Sequence, residues 1–269
     1  MKVKDALTKI QNRIKTYRST PDYVADRWRY GLKRALHPNI KLPIWVTTKN
    51  GAKVFLGDDP IDEYILEDVT VGMEERYFPA HLQLKEGDIV LDVGGHHGLY
   101  AVELLARYPG IQILSIEPDP IGIASIKRHI SKNKADSNIH VVPFAVGRTE
   151  TTGFLVDNHD GSWGKTLETV QQEDSIRVPV KTLKSMLEDQ KIENLRAVKL
   201  IKSNCEGGEF DMVPQIVDLG LKPELIVLMI HPPRGDVEGL VTSLQAYGYD
   251  SDLVFASETN PCWHFRLKR

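Results

Sequence analysis

The pattern of apolar and polar positions changes character near residue 87. Beyond it, short apolar runs alternate with segments of helical periodicity, as in DIVLDVGG followed by GLYAVELLARY. Strands that alternate with helices predict a mostly parallel α/β sheet with helices on both faces. The final segment, YDSDLVFAS…CWHFRLKR, predicts a closing strand pair that places one antiparallel strand in the edge region of the sheet.

Further strands and helices follow from the same alternation. QILSIEP, AVKLIKSNCEGGE and ELIVLMIHPP are predicted as main strands, and IHVVPFAVG as a single strand between them. RVPVKTLKSML predicts a short strand and then a helix. The segment from Asp157 to Leu167, DNHDGSWGKTL, is predicted as a polar, Gly-rich loop. It is either a plain surface turn or a lid that closes Trp163 on a ligand.

The front of the chain has a different organisation. Residues 1–45 are predicted as a helical extension, because Ala6, Leu7, Ile10 and Ile14 fall on one stripe of a helix. Residues 46–269 form the main domain, which opens with a hairpin around Asn50-Gly51. The extension is expected to pack on the domain or on a second copy of the chain, as in a homodimer. Membrane-surface docking is less favoured, because the apolar face lacks Trp and Phe.

Composition narrows the class of protein. The chain has 269 residues, 41% of them hydrophobic, and a net charge of −3 with no long basic run. These values fit a globular protein and do not favour nucleic-acid binding by phosphate neutralisation. The two cysteines form neither a disulfide framework nor a zinc pattern, and no apolar run is long enough to span a bilayer. A reduced, cytoplasmic setting is expected.

The carboxyl ends of the first two main strands carry the first chemical signal. Ligands of open α/β sheets sit at such ends. One strand leaves Asp92 before a turn containing Gly94 and Gly98, and the next ends in Glu117, an acid suited to two ribose hydroxyls. The pattern predicts a nucleoside cofactor, either NAD or S-adenosylmethionine. S-adenosylmethionine is favoured, because Asp92 could pair with its cationic amino-acid head and because the turn follows a long front extension.

Several motifs, taken in order, carry a resemblance to a known family. They are LDVGGHHGLY, SIEPDP, VVPFAVG, VKTL, LIKSNCEGGEF and LIVLMIHPP. In order and spacing they resemble the FkbM family of S-adenosylmethionine-dependent methyltransferases, from about Val46 to the C-terminus. EGGE after a buried strand is the most specific of these elements. The resemblance implies a class I methyltransferase (Rossmann-like) fold and methyl transfer, commonly to an oxygen.

The motifs assign roles to individual side chains. Glu206, Lys202 and His231 are predicted to face the acceptor, with Glu206 or His231 as the base for a hydroxyl. A buried ion pair is the alternative role of Lys202. Glu209 is predicted to cap the next helix. The acceptor is predicted to be a hydroxyl on a small molecule or a glycan. The predicted cofactor contacts are Asp92, Gly94, Gly95, His96, Gly98, Glu117, Pro118, Phe144, Ala145 and Asn204.

Three positions depart from the family pattern. His96 stands where Asn is usual, Asn204 where Asp is usual, and Met229 where Glu is usual. The lost acids motivate a second hypothesis, a degenerate fold member that serves as a binding or structural subunit. A nicotinamide-dependent oxidoreductase is disfavoured, because His96 and His97 crowd a turn that would have to hold a pyrophosphate. A metal site is also disfavoured, because these histidines have no partners at metal spacing.

Overall fold

The computed structural model describes residues 24–26, 28, 30–32, 43–57, 66, 74–79, 81–157 and 165–268. The predicted N-terminal amphipathic stripe and Trp163 lie outside these residues. None of the helices within the described ranges is long and apolar enough to cross a membrane.

Six α-helices have their bounds within the described residues: α1 (Glu74–Tyr77), α2 (Leu99–Arg107), α3 (Pro120–Asn133), α4 (Leu183–Asp189), α5 (Glu209–Asp218) and α6 (Val237–Ala246). Short 3₁₀ helices cover Leu195–Ala197 and Pro232–Arg234. The strands of the same ranges are β1 (Ile44–Thr47), β2 (Lys53–Leu56), β3 (Ile89–Val93), β4 (Gln112–Ile116), β5 (Ile139–Val142), β6 (Ala145–Val146), β7 (Thr151–Asp157), β8 (Lys165–Glu168), β9 (Ile176–Lys181), β10 (Val198–Ser203), β11 (Leu225–Met229), β12 (Tyr249–Phe255) and β13 (Cys262–Leu267).

The main sheet has seven strands in the order β12-β13-β11-β10-β3-β4-β5. Its neighbours from β5 to β11 pair in parallel, and β13 runs antiparallel to both β11 and β12. The predicted α/β fold with one antiparallel strand in the edge region is therefore confirmed. Every residue of β3 is buried, as expected for a central parallel strand covered on both faces.

Apolar residues cover the two faces of this sheet in separate clusters. Along β3, Val90 belongs to one cluster and Leu91 to the other, which follows from the alternation of side chains along a strand. Leu104 of α2 and Ile126 of α3 extend the first cluster. Met212 of α5 belongs to the second, on the opposite face. Helices on both faces leave the carboxyl ends of the strands as the place where a cavity can open.

A second, four-stranded sheet has the order β6-β9-β7-β8, and it corrects two predictions. The run IHVVPFAVG is not one strand, because Pro143 follows β5 and separates it from β6, which pairs with β9. Proline has no N–H to donate to a strand neighbour, so the chain leaves the main sheet at this point. The predicted loop from Asp157 to Leu167 is shorter than expected, because β7 includes Asp157 and β8 begins at Lys165.

The predicted hairpin forms from β1 and β2, with the turn at Lys49-Asn50-Gly51. The hairpin is hydrogen-bonded to α2 and α3, which pack on the same face of the main sheet. The N–H of Phe55 donates to His129 Nε2 on α3 at 2.8 Å, and Thr48 Oγ1 donates to Glu103 on α2 at 2.7 Å. Strand β1 begins at Ile44 and so includes the last two residues assigned to the extension.

Candidate active site

A cavity of about 290 Å³ lies across the carboxyl ends of the main sheet. Its two ends differ. The acidic end lies beyond β4 and β5, and its side chains are Glu117, Pro118, Asp119, Phe144, Ala145 and Lys165. The aromatic end lies beyond β11 and β12, and its side chains are Arg76, Tyr77, Tyr100, Met229, Phe255 and Asn260. The turn after β3 and the loop after β10 lie between the two ends.

The turn between β3 and α2 is held by backbone contacts. The N–H groups of Gly94 and Gly95 both donate to the carbonyl of Ile116, at 3.0 and 3.1 Å. Gly94 has a φ of +75°, and a Cβ there would lie 1.8 Å from the carbonyl oxygen of Asn204. No side chain fits that space, so glycine is required where the turn meets the end of β10.

His96 follows in the same turn with a φ of +48°. Asn and His are both enriched among non-glycine residues in this left-handed region. The backbone therefore accounts for His at a position where the family pattern has Asn. The rings of His96 and His97 stack with centroids 3.9 Å apart, and both residues line the cavity.

Asp92 lies beneath the turn and is fully buried. Lys202 Nζ lies 2.9 Å from its carboxylate and donates to the carbonyl of Gly94 at 2.8 Å. Ser115 Oγ donates to the second carboxylate oxygen at 3.3 Å. This geometry corrects the prediction that Asp92 pairs with the cofactor's amino-acid head, because its charge is already paired with Lys202 below the cavity. It also gives Lys202, predicted as catalytic, a positioning role in which it ties β10 to the turn.

Glu117 brings a carboxylate to the acidic end. The N–H groups of His96 and Asp119 donate to its two oxygens, at 2.6 and 2.8 Å. Burial raises the pKa of Glu117 to about 7, although both amides act in the opposite direction. Each carboxylate oxygen accepts more than one hydrogen bond, so Glu117 can still receive two hydroxyl donors from a ligand.

The loop after β10 presents Glu206 to the cavity. Glu206 has a φ of +52°, a left-handed conformation that is strained for this residue type and common at functional sites. His231 Nε2 lies 3.4 Å from its carboxylate. On the other side of the ring, Nδ1 lies 3.0 Å from Glu209, which is fully buried. The imidazole thus lies between two carboxylates.

The charge of His231 follows from that position. Burial by itself lowers the pKa of His231, but the hydrogen bonds and charges of Glu206 and Glu209 outweigh it and raise the pKa to about 9. The ring is therefore an imidazolium at neutral pH. The prediction of His231 as the base is corrected, because the side chain carries its proton already and does not line the cavity.

Glu209 has a wider role than the predicted helix cap. It is the first residue of α5, and its carboxylate accepts the N–H of Gly207 at 3.0 Å. The same carboxylate accepts the backbone N–H of His231 at 2.7 Å. Hydrogen bonding to His231 lowers the pKa of Glu209, although its burial acts the other way. Glu209 therefore joins the start of α5 to the end of β11 and fixes the orientation of the loop that carries Glu206.

Most of the predicted site residues meet in this cavity. Two of the ten predicted cofactor contacts do not line the cavity: Asp92 lies below it, and Gly98 is the N-cap of α2. Lys202, near the end of β10, and Asn204 and Glu206, in the loop that follows, all line the cavity. The predicted cofactor residues that line it are Gly94, Gly95, His96, Glu117, Pro118, Phe144, Ala145 and Asn204.

The sequence did not indicate the aromatic end. Its residues come from α1, α2, β11, the end of β12 and the loop that follows, and no single motif contains them all. Two of them had a partial signal: Met229 stands where the family pattern has Glu, and Tyr100 lies shortly after the glycine turn. The hydroxyl of Tyr100 is buried and has no hydrogen-bond partner among the described residues. Burial and the charge of Asp92 raise the pKa of Tyr100 well above its usual value, so the hydroxyl remains a donor.

A more open groove of about 480 Å³ lies on the other side of the Glu206 loop. Arg148 lies 2.7 Å from Asp211 there, and Arg234 lies 2.9 Å from Glu168. The positive charges of this groove are therefore balanced by neighbouring acids. Glu206 lines both the groove and the cavity, so the loop that carries it separates the two.

The fold is Rossmann-like, and the cavity lies at the carboxyl ends of its central strands. The sequence model of the methyltransferase FkbM domain matches residues 92–251, more than half of the chain. The chain belongs to the FkbM methyltransferase family, whose methyl donor is S-adenosylmethionine. The predicted family, methyltransferase activity and cofactor are confirmed.

Individual relatives are distant. "Methyltransferase 1" of Beauveria bassiana (strain ARSEF 2860) is 22% identical over 184 residues, which cover 61% of this chain and 73% of that protein. The FkbM methyltransferase structure from Methylobacillus flagellatus KT is 15% identical with a TM-score of 0.47; the match covers 96% of this chain and 60% of that one. Aeropyrum pernix fibrillarin, solved with natively bound S-adenosyl-L-methionine, is 11% identical with a TM-score of 0.44, over 83% of this chain and 93% of that one.

Proposed function

We propose that the protein methylates a hydroxyl group on a small molecule or a glycan, with Glu206 as the group that takes the hydroxyl proton. The observation that carries this proposal is the carboxylate of Glu206 at the cavity wall, backed by His231 at 3.4 Å. A hydroxyl becomes a better nucleophile as it loses its proton, whereas a neutral amine needs no such help. A fixed carboxylate between the two ends of the cavity is therefore best explained by an oxygen acceptor.

The residues of the acidic end and the turn fit S-adenosylmethionine. Glu117 offers carboxylate oxygens to two ribose hydroxyls, and Phe144 and Ala145 offer an apolar wall to the adenine. The turn from Gly94 to His96 brings backbone close to the ligand. The buried Tyr100 hydroxyl, which has no partner among the described residues, is a donor for the polar groups of the methionyl tail. When bound, this cofactor supplies a methyl group on a sulfonium.

The chain's own groups then position the acceptor and move one proton. The pair of Lys202 and Asp92 fixes the turn against β10. The imidazolium of His231, held by Glu209, orients the carboxylate of Glu206. Positioning of this kind accounts for much of the rate of a displacement between two bound reactants. The hydroxyl proton passes to Glu206 as the oxygen–methyl bond forms.

The proposal is tested with a panel of simple acceptors that present oxygen, nitrogen or sulfur. Purified protein is incubated with methyl-labelled S-adenosylmethionine and each acceptor, and the products are identified by mass spectrometry. We expect methylation of hydroxyl compounds only. Methylation of amines with no transfer to any hydroxyl would contradict the proposal while leaving the family assignment intact.

A further inference from the structure

The aromatic end of the cavity has a composition that selects its ligand. Tyr77, Tyr100 and Phe255 contribute rings, and Met229 contributes a thioether that is 3% exposed. The rings of Tyr77 and Tyr100 meet edge to face with centroids 5.5 Å apart. Aromatic rings and a polarisable sulfur pack well against a flat, apolar ring.

This end also carries positive charge. The guanidinium carbon of Arg76 lies 3.6 Å from the centroid of the Phe255 ring, and Lys202 Nζ lies 5.4 Å from that of Tyr100. Lys202 is paired with Asp92, and Arg76 stacks on Phe255, so both cations are held at this end of the cavity. A nearby cation stabilises an oxygen that gains negative charge.

The supply of bases points in the same direction. Among the described residues that line the aromatic end, none is a carboxylate or a histidine. The neighbouring segments bring the carboxylate of Glu206 and the imidazoles of His96 and His97 to the cavity, and these side-chain types are all weak bases. A carboxylate is a weak base, with an ordinary pKa near ~4, whereas a phenol such as the tyrosine side chain has a pKa of about 10. An aliphatic hydroxyl is a far weaker acid still, so a carboxylate base suits a phenol better.

We infer that the acceptor is a planar phenol whose ring lies in the aromatic end of the cavity, among Tyr77, Met229 and Phe255. This inference rests on the proposed function, since it names the acceptor class of the same site. In the transfer, the phenolic oxygen forms a bond to the methyl carbon as the sulfur–methyl bond breaks with its electron pair remaining on sulfur. The phenolic proton goes to Glu206, and the products are the methyl ether and S-adenosylhomocysteine.

The test compares 4-methylphenol with methyl glucoside as ligands of the protein saturated with S-adenosylhomocysteine. Calorimetry is expected to show 4-methylphenol binding at least about tenfold more tightly, because each well-packed aromatic contact adds to the binding free energy. With S-adenosylmethionine instead, mass spectrometry is expected to detect 4-methylanisole. Tighter binding of methyl glucoside, or no measurable binding of 4-methylphenol, would overturn the inference.

Two variants locate the ligand. Met229→Glu adds an acid to the aromatic end and is expected to weaken 4-methylphenol binding about tenfold or more, since the carboxylate lies in an apolar wall. Val254→Glu adds the same charge at a neighbouring residue that is 37% exposed, and its binding is expected to equal that of the native protein. Equal effects of the two variants would overturn the inference, because the ligand would then lie elsewhere.

The outcomes also separate this inference from the proposed function. If S-adenosylhomocysteine binds and methyl glucoside is methylated at oxygen while 4-methylphenol is not, the acceptor class is wrong and hydroxyl methylation stands. The open groove beside Glu206 is then the place to seek the saccharide. If neither S-adenosylhomocysteine nor S-adenosylmethionine binds, the proposed function itself is wrong.

Discussion

The acidic and aromatic ends of the cavity are built from different kinds of chain segment. The polar centre of the acidic end is the short stretch 117–119 after β4, where the backbone amides of His96 and Asp119 bind the carboxylate of Glu117. The aromatic end joins Arg76 on α1, Met229 on β11 and Phe255 on β12, which are far apart in sequence. The first end is fixed by backbone geometry and so allows little variation. The aromatic end depends on side chains from separate segments, so substitutions of these side chains can change which acceptor fits there.

The largest effect is expected at Glu206, which lies between the two ends. Glu206→Gln removes the proton acceptor and is expected to lower kcat about 100- to 10,000-fold. Affinity for S-adenosylhomocysteine should stay unchanged, as measured by calorimetry. The matched control is Glu224→Gln, whose carboxylate is 59% exposed at the opposite end of the sheet. A Glu206→Gln variant that retains full activity would show that another group takes the proton.

The next effect concerns the link between β10 and the turn. Lys202→Met leaves Asp92 buried without its partner and is expected to lower the free energy of unfolding by about 3–5 kcal/mol. The control, Lys199→Met on the same strand, breaks a more exposed pair with Glu224 and should cost less than about 1 kcal/mol. Urea denaturation measures both. Equal losses would mean that the buried pair does not stabilise the turn.

A smaller effect is expected at the acidic end. Glu117→Gln is expected to weaken S-adenosylhomocysteine binding about 10- to 100-fold, as for lost hydrogen bonds to a charged group. In the native protein the affinity should rise with pH through about 7, because the ionised carboxylate accepts hydroxyl donors and the pKa of Glu117 is raised to that value. The variant should lose this pH dependence. Calorimetry at pH 6 and 8 checks it, and a variant that keeps the dependence would contradict the assignment.

The smallest effect is expected at His231, which acts through Glu206. His231→Gln is expected to lower kcat roughly tenfold, as for a modest misplacement of a catalytic group. Its pKa is raised from 6.5 to about 9, so its contribution to stability is fully present below pH 6.5 and is lost as the pH rises through about 9. Between pH 6.5 and about 9, the urea concentration at the midpoint of unfolding should fall for the native protein and should change less for the variant. Matching pH profiles would contradict this account of the imidazolium.

The sequence predicted much of the fold and of the acidic end because both depend on local patterns. The alternation of strands and helices predicted the main sheet. The glycine turn, together with Glu117 after β4, predicted where the cofactor binds. The small sheet was missed because β6 has only two residues and because β6 pairs with β9, whose pairing residues follow more than thirty residues later in the chain. Proline after β5 was the signal that the chain leaves the main sheet there.

The roles of the charged residues needed partners that only the fold brings together. Lys202 and Asp92 are 110 residues apart, and His231 and Glu209 are 22 apart. The sequence placed all four at strand or helix ends but could not show which charges are already paired. The same reason explains why the aromatic end was not predicted, since Tyr77 and Phe255 are ordinary apolar positions until the chain folds.

The most direct test of the central claim is a calorimetric titration of S-adenosylmethionine into the native protein and into Glu117→Gln. Our account predicts one bound molecule per chain and an affinity that falls about 10- to 100-fold in the variant. Absence of binding to the native protein would contradict the claim that this cavity holds the methyl donor. Equal affinity in the two proteins would contradict the placement of the donor at the acidic end.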